Sequence, residues 1–391
     1  MADISKLEQQ ADIIAEMFES ADMERIIREC EIIGKIKNMT PEQLKKFNIE
    51  KEAKKEYKKV LSALGLVTVA SIGKLIPIYT ELFDEWHKGN EYMYKHANKP
   101  FIPIAENKSM QKIIKEYAKS TSKEILNKTN TKALYVIDKD GKTIRMQDQI
   151  YKAFSEAVET VKSGKTDFYT AMDKTVEALG GSGAKVVYSK NPPVTRSLDS
   201  VVRSNVMWGA KQASKDYNRT IGKELGTDGI EIDVHSNPRP SHRYMQGQQY
   251  STGEAVTING VLYKSAQAEG VYDRLYKDHH CYHFETSIFL GISVPRFSKE
   301  ELQKFDEQNE KQYTINGKTQ DGFGWTQSMR ALERGAKEKT RQARAYDAEG
   351  DKLRADRCKK LVAKYRTKYN EICDVTGIKP DLKRMSVPKV K

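Results

Sequence analysis

Apolar residues recur at three- and four-residue steps from the start of the chain. Ile4, Leu7, Ala11, Ile14 and Phe18 share one helical face. This predicts an opening helix whose stripe packs inside its own domain or docks on another subunit. Thr40-Pro41-Glu42-Gln43 reads as a second helix start: Thr40 accepts from first-turn N–H groups, Pro41 needs no donor there, and Gln43 reaches back to the cap. Val60–Gly73 is a run of 14 mostly apolar residues, followed by Lys74 and Pro77. A spanning helix needs about 18–20, so a buried helix is expected here, with a segment that meets a membrane or a protein partner as the alternative. Pro100 and Pro103 mark Asn98–Asn107 as a connector.

Ala133–Ile137 and Lys142–Met146 flank Asp138-Lys-Asp-Gly141 and predict a short hairpin. A calcium loop fails on register, because Val136 and Gln147 would fall at its first and last ligand positions. Helical periodicity returns over 147–178 and stops at Gly180-Gly-Ser-Gly-Ala-Lys185. A phosphate loop needs a preceding strand and a Gly before the Lys, and a nucleophile elbow needs a second Gly after Ser182. The stretch therefore reads as a glycine stop to a helix. A helix is expected over Ser197–Leu225 and a strand over Ile230–Val234. The strongest hairpin signal is Val256–Ile258 and Val261–Tyr263 around Asn259-Gly260, which suits a type I′ turn. From Trp325 helices resume. The fold class expected is α+β, predominantly α-helical, in four regions. These are a helical 1–125, a hairpin with helices over 126–229, a small α+β unit over 230–298, and a basic helical 299–391.

Composition narrows the functional classes. A chain of 391 residues fits two or three domains. Its 31% charged residues and mean hydropathy of −0.70 exclude a polytopic membrane protein, and its content of Tyr, Leu, Ile and Val excludes disorder throughout. Cys30, Cys281, Cys358 and Cys373 are scattered without repeated spacing, which predicts a reducing compartment and no disulfide scaffold. Met1–Lys6 runs into charged residues where a secretory signal would place its apolar region, so no signal is expected.

The net charge of +13 is concentrated near the end. Arg330–Lys391 holds 19 Lys or Arg against 9 Asp or Glu, a net +10. Cys358, Leu361, Val362, Tyr365, Tyr369 and Ile372 trace an apolar helical face there. Arg354, Arg357, Lys359, Lys360, Lys364, Arg366 and Lys368 are then the candidate contacts to nucleic acid or to an acidic partner. The plainer reading of the same residues is a solvated helix.

Five of the seven histidines, His235, His242, His279, His280 and His283, crowd around Cys281. Imidazole and thiolate are ligands that zinc prefers. Cys281 and His283 supply two, His242 a third, and His235 stands in reserve, which makes a candidate structural zinc site. The alternative is a hydrogen-bonded cluster that ties loops together.

His235-Ser-Asn-Pro-Arg239-Pro240-Ser241-His242, then Gln246-Gly247-Gln-Gln-Tyr-Ser251, Cys281-x-His283-Phe284 and Gly291-Ile-Ser293 form a recognisable series. It resembles the signature of the phage minor capsid protein 2 group, related to Mu F-type head morphogenesis proteins. Arg196–Asn205 before it, and Tyr313, Gln320, Gln327, Arg330 and Glu333 after it, extend the likeness over about 195–385; the N-terminal half matches in helical character only. The chain departs from the family at His280-Cys281-Tyr282-His283, where relatives show Asn-Cys-Arg-His.

The resemblance implies a virion structural protein, in a few copies per head, at the portal vertex and head interior, made in the host cytoplasm. The implied partners are the portal protein, major capsid or scaffold proteins and packaged DNA, with no membrane in the assembled state. Two rivals remain. One is a metal-dependent nuclease or hydrolase using Asp278, His279, His280, Cys281, His283 and His242. The other is a delivered effector.

Overall fold

The computed structural model describes residues 4–129, 134–164, 167–190, 193–278 and 281–389. His279 and His280 lie outside the described residues. The chain runs through α1 (Ile4–Lys37), α2 (Pro41–Lys46), α3 (Ile49–Gly89), α4 (Glu91–His96) and α5 (Lys108–Thr129). Strands β1 (Leu134–Ile137) and β2 (Thr143–Arg145) precede α6 (Met146–Lys162) and α7 (Phe168–Ser182). Then come β3 (Lys185–Lys190), β4 (Pro193–Ser197), α8 (Leu198–Leu225), β5 (Gly229–Ile232), β6 (Gln249–Ser251), β7 (Val256–Ile258) and β8 (Val261–Tyr263). The rest is α9 (Val271–Tyr276), β9 (Glu285–Ile288), α10 (Lys299–Glu310), β10 (Gln312–Ile315), β11 (Lys318–Asp321), α11 (Gly322–Glu349) and α12 (Lys352–Thr376). The predominantly helical α+β class expected from the sequence is the one observed.

These elements form two compact units. The first comprises Met1–Ala11, Ile72–Lys123 and Ser204–Gln327; the second comprises Asp12–Ser71, Glu124–Arg203 and Ser328–Lys391. The chain passes between them within α1, α3, α5, α8 and α11.

In the second unit, β2-β1-β3-β4 make an antiparallel sheet against which α6 and α7 pack. Leu134 and Val136 of β1 are buried, as are Ile150, Phe154, Val176 and Leu179 of the helices. The β1–β2 hairpin was legible, and Asp138 closes its turn by accepting from the N–H groups of Asp140 and Lys142. The capping box of α2 forms as read, with Gln43 N–H donating to Thr40 and Thr40 N–H to the Gln43 side chain. Arg25 is 1% exposed and held between Asp22 and Glu29, at 2.7 and 2.9 Å.

The apolar stretch of α3 corrects an expectation. Val60, Leu64, Thr68, Ser71 and Leu75 face inward, while Leu66 and Val69 are 73% and 70% exposed. The inward hydroxyls are satisfied within the helix, Thr68 by Leu64 O and Ser71 by Val67 O, both at 2.7 Å. By length and composition α3 is apolar enough to cross a membrane, and only 28% of its most apolar stretch is buried.

In the first unit, the buried face of α8 (Val206, Ala210, Ala213, Tyr217 and Ile221) forms part of the core. Gly209 lies where this helix meets Tyr79 and Thr121: a Cβ there would stand 1.9 Å from Thr121 Oγ1 and 2.4 Å from Tyr79 Oη. The sheet β6-β5-β9 is antiparallel, with Ile230 opposite both Tyr250 and Ser287. Ile230, Ile232, Met245, Tyr250, Ala266, Val271, Leu275 and Cys281 form one core cluster. The Asn259-Gly260 hairpin has both turn residues at positive φ, 50° and 77°, as a type I′ turn requires.

A buried histidine and cysteine cluster as the candidate functional site

Three loops deliver the cluster. A 3₁₀ turn at Pro240–Met245, started by the fixed φ of Pro240, carries His242 inward. The segment entering β9 carries Cys281 and His283, and the segment leaving β5 carries His235. His242, Cys281 and His283 are 2%, 2% and 3% exposed, and one ligand-type atom from each lies within 4.8 Å of the other two. Cys281 Sγ is 3.6 Å from His283 Nδ1.

Gln246 organises this group. Its Oε1 accepts from the backbone N–H of His235 at 2.7 Å and lies 3.0 Å from His283 Nε2. An amide oxygen only accepts, so Nε2 of His283 carries the hydrogen. The lone pair of Nδ1 is therefore left facing the sulfur. Burial, with His235, Lys211 and His242 nearby, holds His283 well below the usual imidazole pKa, so the ring stays neutral. Burial also lowers His242, against the opposing pull of Asp278.

The motif residues fall into distinct roles. Arg239 donates to Asp278 Oδ2 at 2.7 Å. That same oxygen is 3.3 Å from His242 Nε2 without making a hydrogen bond to it, so the buried Nε2 has no hydrogen-bond partner among the described residues. Gly247 has φ +65°, and its N–H donates to Ile232 O. Ser241 is exposed. His235 is half-buried, with its Nε2 at 2.8 Å from Tyr282 O and its ring 4.7 Å from that of His283. It stands beside the other three without joining their close group.

Two neighbours escaped sequence reasoning. Lys211 is 2% exposed and donates to Cys281 O at 2.7 Å; burial pulls its pKa down. A lysine inside the apolar run of α8 was the available signal. Asp233 is also buried and accepts from Phe284 N–H at 2.8 Å, tying β5 to β9 beyond their ladder. A groove of about 870 Å³ borders this sheet in the first unit, lined by Trp86, Tyr217, Phe284 and Phe289, with Ile292 and Val294 exposed at its rim.

The cationic residues of α12 sort differently. Arg354 is half-buried and paired with Asp173 and Asp351, and Lys359 with Asp347 and Asp356. Arg357, Lys360, Lys364, Arg366 and Lys368 are exposed and enter no ion pair among the described residues. Cys358, Tyr369 and Ile372 are buried as their spacing predicts, whereas Leu361 is 38% exposed.

No curated protein and no solved structure gives a significant match to this chain. A family model, Phage minor capsid protein 2, matches residues 3–374. That span takes in most of both units, the buried cluster and nearly all of α12, and the chain belongs to the phage minor capsid protein 2 family.

Proposed function

We propose that this minor capsid protein works at the portal vertex, inside the head, joining the portal and the major capsid or scaffold proteins to packaged DNA. The observation that carries the DNA contact is the row on α12. Arg357, Lys360, Lys364 and Lys368 recur at three- and four-residue steps, so they share one exposed helical face. With Arg366 also exposed, the helix offers cations to phosphates with little competing internal pairing. The His/Cys cluster supports an architectural role, since its three side chains are buried, with Cys281 part of the hydrophobic core.

The test is duplex DNA binding against salt concentration. Each phosphate neutralised contributes about 0.9 to the slope of log affinity on log salt. Replacing the four face residues by Gln should flatten the slope by about 3–4 and weaken binding at low salt. An unchanged slope assigns this face to an acidic protein surface and removes the DNA contact. Imaging particles without imposed symmetry at the vertex checks the location.

A further inference from the structure

We infer that His242, Cys281 and His283 bind one zinc ion that locks the 3₁₀ turn and the approach to β9 together. The first support is geometric. Zinc–sulfur and zinc–nitrogen bonds of about 2.3 and 2.05 Å at a tetrahedral angle place sulfur and nitrogen about 3.6 Å apart. Cys281 Sγ and His283 Nδ1 are 3.6 Å apart. The three ligand-type atoms all fall within 4.8 Å of one another.

The second support is the setting of His242. Its buried Nε2 stands 3.3 Å from Asp278 Oδ2, and a carboxylate beside the ring is the kind of partner that orients a metal-bound imidazole.

The third support lies around the ligands. Gln246 takes the hydrogen of His283 Nε2, which leaves Nδ1 as a lone-pair donor aimed at the sulfur. Metal-bound histidines are commonly held through the other ring nitrogen in this way. Asp233 and Asp278 flank the cluster opposite the cations Lys211 and Arg239, so the surroundings are balanced and not net repulsive to a divalent ion. Binding by the thiol releases its proton to solvent, and the zinc–sulfur bond forms from the thiolate.

The full-length protein, produced in zinc-supplemented cells and passed through a desalting column, should carry about one zinc per chain by elemental analysis. Cys281→Ser and His283→Gln should each retain less than one tenth of that. Refolding the stripped protein with cobalt(II) should give an intense tetrahedral visible spectrum and a thiolate-to-cobalt charge-transfer band, which Cys281→Ser abolishes. If either variant fails to fold, the wild-type cobalt spectrum still decides. Absence of the charge-transfer band in folded wild type, or zinc that persists in folded Cys281→Ser, overturns the proposal. Neither outcome touches the DNA reading of α12.

Discussion

Glu349, near the end of α11, is 4% exposed, and neither carboxylate oxygen has a hydrogen-bond partner among the described residues. Burial, reinforced by Asp351 and Asp173 against Arg354 and Lys37, pushes its pKa from 4.5 up to about 8. The folded state therefore keeps a proton that the unfolded chain has released. For an acid raised in this direction the contribution to stability is complete below pH 4.5 and is lost as pH climbs towards 8. Each pKa unit is worth about 1.4 kcal/mol, so the full span amounts to roughly 5 kcal/mol. Glu29, raised to about 7 by burial, acts in the same sense.

Replacing Glu349 by Gln removes the titration while preserving shape. The variant should match wild type within about 1 kcal/mol at pH 5 and exceed it by roughly 4–5 kcal/mol at pH 9. Tryptophan fluorescence is the wrong probe, because Trp86, Trp208 and Trp325 all belong to the first unit. Hydrogen exchange of peptides from α11 and the second-unit part of α1, across a denaturant series, reads the right region. Parallel pH profiles for the two proteins would refute the assignment of a buried, proton-holding carboxylate.

Two further outcomes follow from the first unit. Gly209→Ala drives a methyl group into Thr121 and Tyr79, whose hydroxyls are 3.1 Å apart and one of which donates to Val206 O. It should cost about 2–4 kcal/mol, read by tryptophan fluorescence during urea unfolding. Gln246→Leu leaves His235 N–H and His283 Nε2 without their shared acceptor; a loss of about 2–4 kcal/mol by the same assay is expected, and no loss would mean that water replaces the amide.

Local chemistry was readable in the sequence wherever it was complete within a few residues. The Thr40 box and the Asn259-Gly260 turn are self-contained, and both form. Asn316-Gly317 makes the same kind of turn, with both residues at positive φ, yet only Gln312–Ile315 alternates, and its partner Lys318–Asp321 holds no apolar residue to reveal a strand. β3 and β4 were missed for a related reason: a glycine-rich entry and Lys, Ser and Pro residues hide the pairing of β3 with β1 and of β4 with β3.

Alternation located β5 but not its burial. Ile230-Glu-Ile-Asp predicts one wet face, but Glu231 is 1% exposed because Gln249 and the Arg296 N–H satisfy it from distant sequence. The cluster behaves in the same way. The ligand types were evident, whereas the partner that sets the tautomer, Gln246, is 37 residues from His283 and only the fold brings them together.

The path of the chain governs how the molecule can be made. The first unit is incomplete until residue 327 has been synthesised, and the second also needs residues 328–391. A nascent chain on the ribosome therefore carries two incomplete units until segments far along the sequence emerge. Such long-range closure is slow and favours aggregation meanwhile. Production of this protein should thus depend on chaperone capacity more than on codon speed, and dissecting it by deleting its last helices would leave the second unit without its closing segment.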